Sequence, residues 1–267
     1  MIPTLTQRDR IAHDRTAPTY DRLVTRAFRP HHLIGLHPWV RSLAAKDFHS
    51  ALDLGTGTAV VALRLSRVID FVVALDHSFG MLEVARAKAR RLRLNARTHF
   101  VRADCNRLPF PNHAFDVVTV QGVLHHTGSI DCDAVLNEIQ RVLKPAGSLY
   151  ISEPCTETNP LAHFLASIAG LLIRATRRLL RLPKPAPAHT SDHNLPLETP
   201  PLESPISSND LISRLRNLGL AVRTRYLTNI PAATTLPDSL AASLIRTVSA
   251  PSGERFGDVV FIYATKP

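Results

Sequence analysis

"ALDLGTGTAV" (residues 51–60) is an apolar run that breaks into two glycines one residue apart. Near-continuous apolar runs are strands covered on both faces. A glycine turn directly after one lets the backbone come close to a ligand. Three ligand classes compete for it. A dinucleotide site asks for G-x-G-x-x-G, but Gly55 and Gly57 are followed by Val60 in the third place. A phosphate-binding loop asks for G-x-x-x-x-G-K-[ST], and no lysine follows. What remains is an acid ending the first strand, Asp53, then the turn, then an acid ending the next strand, Asp76. An acid so placed can accept hydrogen bonds from ribose hydroxyls. The pattern suits a nucleoside without phosphates, which needs no third glycine.

Outward from the turn, short apolar runs alternate with segments of helical period. "FVVALD" (71–76), "FDVVTV" (115–120) and "SLYIS" (148–152) read as buried parallel strands, with "THFVRAD" (98–104) a weaker one. Ser78 is placed to cap a helix carrying Met81, Leu82, Ala85 and Ala89 on one face, and Asp131 or Asp133 to start another that stops at Lys144-Pro145. Such alternation predicts an α/β, Rossmann-like, doubly wound sheet. Residues 1–49 read as a helical N-terminal arm, with "YDRLVTRAF" (20–28) its clearest amphipathic piece. Residues 50–267 read as the catalytic domain, interrupted by an insertion at about 156–206. The insertion starts as a basic amphipathic helix at about 160–182. It continues into a stretch with seven prolines from Pro183 to Pro205, which reads as an extended loop or lid. Beyond it, Ser207 or Ser208 caps a helix closed by Gly219, and "LAVRTRYL" (220–227), a short helix at 239–248 and "DVVFIYA" (258–264) complete the sheet.

The chain has 267 residues, 45% hydrophobic and 20% charged, the composition of a soluble globular protein. No signal peptide is visible at its start, and its most apolar run, 161–173, is too short to span a bilayer. Three cysteines without a CxxC suggest neither a disulfide framework nor zinc, so a reducing cytoplasm is expected. His31, His32 and His37 lack a carboxylate or cysteine partner in sequence, and no metal is expected. The formal charge of +10 gathers in 85–97 and 173–184. Such a surface attracts RNA, anionic lipid or acidic substrates, or is simply a solvated helix face.

Four stretches sharpen the reading: "LDLGTGTAVVALRL" (52–65), "VVALDHSFGMLEVARAKA" (72–89), "VRADCNRLPFPNHAFDVVTVQGVLHH" (101–126) and "VLNEIQRVLKPAGSLYISEP" (135–154). In this order and spacing, the chain resembles the class I S-adenosylmethionine-dependent methyltransferases, in the small-molecule branch that includes the ubiquinone/menaquinone-biosynthesis enzymes. The likeness is close over about 50–155 and loose over 207–265. It implies a mostly parallel seven-stranded sheet in the order 3-2-1-4-5-7-6 with the last strand antiparallel, and S-adenosyl-L-methionine as cofactor. It also implies roles. Asp53 and the Gly55–Thr56–Gly57 backbone would face the methionine part. Asp76 would bind the ribose, with His77 and Met81 beside the adenine. Asp104 would take the adenine amino group and the Cys105 backbone a ring nitrogen. Gln121 would line the methionine and the way to the acceptor, and Tyr20 would close over the cofactor. Two positions depart from the family pattern: Ala59 stands for a third glycine of G-x-G-x-G, its methyl either accommodated in a first helical turn or tightening the site against the cofactor tail, and Ala146 stands in "LKPAG" for "LKPGG".

Methyl transfer from a sulfonium is an in-line displacement for which a protein mainly supplies orientation. An unactivated hydroxyl acceptor also needs a base, and His125 or His126 is the candidate. The expected activity is methylation of a small, partly apolar acceptor. The basic helix at 160–182 would cover that acceptor or touch a membrane surface. Methylation of RNA or protein is the alternative, yet the N/D-P-P-Y/F motif of base-N methyltransferases is missing where "VQGVLHH" stands, and no nucleic-acid partner is expected. A non-catalytic cofactor-binding protein is the third reading.

Overall fold

The computed structural model describes residues 5–21, 32–126, 129–156, 160–180, 206–227, 236, 238–249 and 258–267. The quoted run becomes strand β1 (Ser50–Leu54), buried over its last four residues. Six further strands follow: β2 (Phe71–Asp76), β3 (Thr98–Arg102), β4 (Phe115–Gln121), β5 (Leu143–Pro154), β6 (Ala221–Leu227) and β7 (Val259–Thr265). They form one sheet in the order β3-β2-β1-β4-β5-β7-β6. β1 pairs in parallel with β2 and β4, while β7 runs antiparallel to β5 and β6. This is the topology that the family resemblance implies. Asp53 stands level with Ala74 of β2 and Thr119 of β4, so the end of β1 lies between two strand ends. Ligands of such sheets bind at the carboxyl ends of the strands, where the winding reverses.

Helices cover both faces, because β1, β2 and β4 are apolar on both sides. They are α1 (Leu5–Tyr20), α2 (His37–Leu43) preceded by a π-helical turn (His32–Leu36), α3 (Ala62–Leu65), α4 (Phe79–Arg91), α5 (Ser129–Val142), α6 (Pro160–Leu179), α7 (Ser208–Asn217) and α8 (Asp238–Ser249). One face of the sheet packs Ala51, Val72, Tyr150 and Phe261 with Trp39, Val40 and Ile245. The other packs Leu52, Val118 and Ile262 with Val135, Ile139 and Leu215. Trp39 of α2 stacks on Tyr150 of β5 at 4.9 Å between ring centroids, and Phe261 of β7 stacks beyond it. Aromatic pairs of this kind add about 0.5–1.5 kcal/mol beyond area burial, here tying the arm to the sheet.

The caps lie where the local sequence puts them. Ser78, in extended backbone, accepts the Met81 amide on α4, Ser207 accepts the Asp210 amide on α7, and Gly219 takes φ +81° just after α7. The described arm helix is α1, upstream of the 20–28 piece, most of which lies outside the described residues along with His31 and the proline-rich 183–205 stretch. Two expectations need correction. α5 begins at Ser129, so Asp131 and Asp133 lie within it. Ala59 is not in a helical turn but in the left-handed region, at φ +64°, before α3; Ala146 has φ +59°. Both alanines hold the conformation that glycine adopts freely.

Candidate functional site

Above the end of β1 lies a cavity bounded by the glycine turn, the ends of β2 and β4 and the N-terminal arm. Its floor is the turn Gly55–Thr58. Gly55 has φ +63°, and a side chain there would meet Val123 Cγ2 at 2.3 Å. Gly57 has φ +53°, and the Tyr20 ring lies 3.9 Å from where a Cβ would stand. The backbone is therefore bare on the cavity side because these two residues have no side chain.

Two acids hold the turn in shape. Asp53 is fully buried, and its carboxylate accepts from Thr119 Oγ1 (2.6 Å), Thr56 Oγ1 (2.6 Å) and the Ala62 amide (3.0 Å). Burial pushes its pKa up to about 6, with the Asp76 charge adding to the rise and the three donors opposing it. Asp76 accepts the Gly57 amide at 2.7 Å through Oδ2 and the Ser78 amide at 2.8 Å through Oδ1. It lines the cavity at the end of β2.

The arm forms the roof, pinned at three acids. Asp9 lies 3.5 Å from His77 Nε2 and 3.4 Å from His126 Nδ1 and His13 Nδ1. Asp14 accepts from Ser78 Oγ (2.6 Å) and the Gly80 amide (2.9 Å) at the start of α4. Asp21 accepts from Thr58 Oγ1 (2.6 Å) and Lys88 Nζ (2.8 Å). Burial alone would raise the Asp9 pKa, but the His126 and His13 rings hold it well below the usual carboxylate range. Burial alone would lower that of His13, but Asp9, with help from Asp76, holds it at about 9. His13 is thus a cation at neutral pH and balances Asp9. Asp9, His13 and His77 also bring ligand atoms within 4.8 Å of one another, a set able to take a metal ion. A metal would have to displace the His13 proton, and His13 Nδ1 already bonds the Asp9 carbonyl at 2.9 Å. The trio reads as an ion-pair latch.

The two adjacent histidines, on one short turn (Leu124–His126), lie with ring centroids 4.1 Å apart but meet different partners. His126 lines the cavity. His125 donates from Nδ1 to Glu153 Oε2 at 2.8 Å, and the fully buried Glu153 also accepts the Val123 and Leu124 amides through Oε1. Gln121, at the end of β4, donates from Nε2 to His32 Nε2 at 2.7 Å, while its buried Oε1 has no partner among the described residues.

Of the residues singled out from sequence, Tyr20, Asp53, Gly55, Thr56, Gly57, Asp76, His77, Cys105, Gln121 and His126 line this cavity. Three stand apart from its lining. Met81 is fully buried inside α4. Asp104 is exposed and accepts the Asn106 amide. His125 is turned to Glu153. Sequence reasoning missed Asp9, His13, His32 and Glu153. Asp9, His13 and Tyr20 are spaced i, i+4 and i+11, one face of a helix, and that spacing was the available signal.

Comparison with known proteins fits this geometry. Residues 52–151 match the family model described as "Methyltransferase domain". A demethylmenaquinone methyltransferase of Clavibacter sepedonicus is 33% identical over 166 residues, 60% of this chain and 66% of that protein. A ubiquinone/menaquinone biosynthesis C-methyltransferase of Vibrio campbellii is 36% identical over 112 residues, 41% of this chain and 42% of that protein. The chain thus spans less than two thirds of the length of these relatives. Among solved structures, the DhpI–SAH complex superimposes with a TM-score of 0.61 at 15% identity, covering 98% of each chain. That likeness is one of fold.

Proposed function

We propose that this chain, whose residues 52–151 match a methyltransferase domain, is a class I methyltransferase that moves a methyl group from S-adenosyl-L-methionine to a small, partly apolar molecule. The observation that carries the reading is the bare glycine floor between Asp53 and Asp76, with a carboxylate at the end of β2 and no phosphate-binding lysine or third glycine. The residues present fit the cofactor. Asp76 would hold the ribose, the Gly55–Thr56–Gly57 backbone the amino-acid tail, and His77 with the Cys105 backbone the adenine. Asp104 shapes the turn before Cys105, and Asp53 shapes the floor from beneath. Tyr20 closes the cavity from above. Gln121 Oε1, buried without a partner among the described residues, would accept a hydrogen from the bound molecule.

S-adenosyl-L-methionine, when bound, supplies a methyl group already activated on sulfur. The protein's share is positioning, exclusion of water by the arm, and removal of the acceptor's proton. Of the two adjacent histidines, His126 is the one with access to the cavity. Its Nδ1 is turned to Asp9, which leaves Nε2 to take a proton from an acceptor hydroxyl or acidic carbon. The small-molecule class rests on the quinone-methylating names of the relatives. Cys105, Cys132 and Cys155 are not joined by a disulfide, which suits a reducing, cytoplasmic setting.

Calorimetric titration with S-adenosyl-L-methionine or its demethylated product tests the reading, and a flat titration refutes it. Asp76→Ala should weaken binding by about 10- to 100-fold, the worth of hydrogen bonds to a charged group. His126→Ala should bind normally and lose turnover with a changed pH profile. Unchanged turnover across the neutral range removes the base assignment. A metabolite extract incubated with methyl-labelled cofactor then identifies the acceptor.

A further inference from the structure

Helix α6 leaves the same edge of the sheet at which the cavity opens, and it is apolar on two sides. Its inner side packs Leu165, Ala166 and Ala169 against the core that contains Ala241, Ala242 and Ile245 of α8. Its outer side exposes Phe164 (62%), Ile168 (39%), Leu171 (59%), Leu172 (62%) and Leu179 (82%). These recur at helical spacing, so they form one stripe along the helix. Elsewhere among the described residues, large exposed apolar side chains are scattered: Phe71, Phe79, Leu92 and Leu240. Contiguous apolar surface of this kind marks a contact.

We infer that the outer side of α6 docks on an anionic lipid surface. The helix carries no acidic residue, and Arg174 and Arg178 are exposed beside the apolar stripe, with Arg177 in the same last turn. Arginine stems can lie along the acyl boundary while their heads reach lipid phosphates. No helix among the described residues is long and apolar enough to cross a membrane, so α6 lies on the surface rather than spanning it. A second copy of the chain fits less well. A two-fold pairing of α6 helices would bring no acid from either helix to these arginines. The inference goes beyond the proposed methyl transfer and does not depend on it.

Vesicle co-sedimentation with the full chain tests it, using phosphatidylcholine alone and phosphatidylcholine containing one third phosphatidylglycerol. The chain should partition at least about tenfold more strongly to the anionic vesicles, since each basic residue near such a surface is worth about fivefold. Partition should fall when salt is raised from about 0.1 to 1 M, as the screening length shrinks to about 3 Å. Phe164→Ser/Leu171→Ser/Leu172→Ser should lower it at least about tenfold with an unchanged melting curve. Arg174→Gln/Arg178→Gln should remove most of the salt-sensitive part while leaving folding intact. Equal binding to both vesicles, no binding at all, or unchanged binding by both variants overturns the inference. So does light scattering that shows a dimer which the serine variant splits, because a second copy then covers the stripe.

Discussion

Ala146→Gly should stabilise this protein, and Ala59→Gly should not, although both alanines have nearly the same backbone. Their φ values are +59° and +64°. The left-handed conformation costs an L-residue roughly 1–2 kcal/mol relative to glycine. Glycine returns about 0.4–1 kcal/mol of that through the greater freedom of the unfolded chain. At Ala146 the methyl is exposed, so nothing else is lost, and its amide keeps the 2.8 Å bond to the Lys266 carbonyl. The net gain is about 0.5–1 kcal/mol. With about 2.1 cal/mol/K of unfolding entropy per residue, a chain of 267 residues should melt about 1–2 °C higher. At Ala59 the methyl is fully buried in the core. Deleting it forfeits about 0.8 kcal/mol of burial, which cancels the relief. Urea unfolding and calorimetric melting of both variants, with cofactor titration of each, make the check. If Ala146→Gly lowers the melting temperature, or if Ala59→Gly raises it more, the strain argument is wrong.

Gly55→Ala places a methyl 2.3 Å from Val123 Cγ2 at φ +63°. It should cost about 2–4 kcal/mol and abolish cofactor binding, and a variant that melts and binds normally would show that the turn yields. The Asp9–His13 latch should give a pH signature. His13 is raised from 6.5 to about 9, so its contribution is full below about pH 6.5 and disappears as pH rises through 9. Asp9 is lowered from 3.8, so its contribution is full above that value and is lost only in stronger acid. Stability should fall by about 1–2 kcal/mol between pH 6.5 and 9.5, and His13→Gln should flatten that slope; an unaltered slope would place the dependence elsewhere. Glu153→Gln sets an amide beside groups that donate to Glu153, the Val123 and Leu124 amides and His125. A loss of about 1–3 kcal/mol is expected in denaturant melts, and wild-type stability would mean that the turn at 124–126 is held by other contacts.

Most strands were legible because each is a run of apolar residues whose neighbours in sequence punctuate it, while their order in the sheet came from the family resemblance. Ser78 and Ser207 announced their helices, since a cap acts within three residues of itself. The arm was harder. α1 is polar almost throughout, so apolar periodicity does not mark it; Asp9, Asp14 and Asp21 hold it by reaching partners 37 to 117 positions away. Similarly, nothing in "LHH" separates His126 from His125. The two rings lie side by side on the turn, and what separates them is that buried Glu153 takes His125 while His126 lines the cavity.

From sequence alone came the doubly wound α/β class, the glycine turn and the two acids that frame it, because these are written in local spacing. The tertiary structure decided which histidine faces the cavity, that the two alanines are strained, and that α6 turns a second apolar side to solvent. Those features depend on what residues distant in the chain cover or leave uncovered, and pairings over such distances leave no trace in a local pattern.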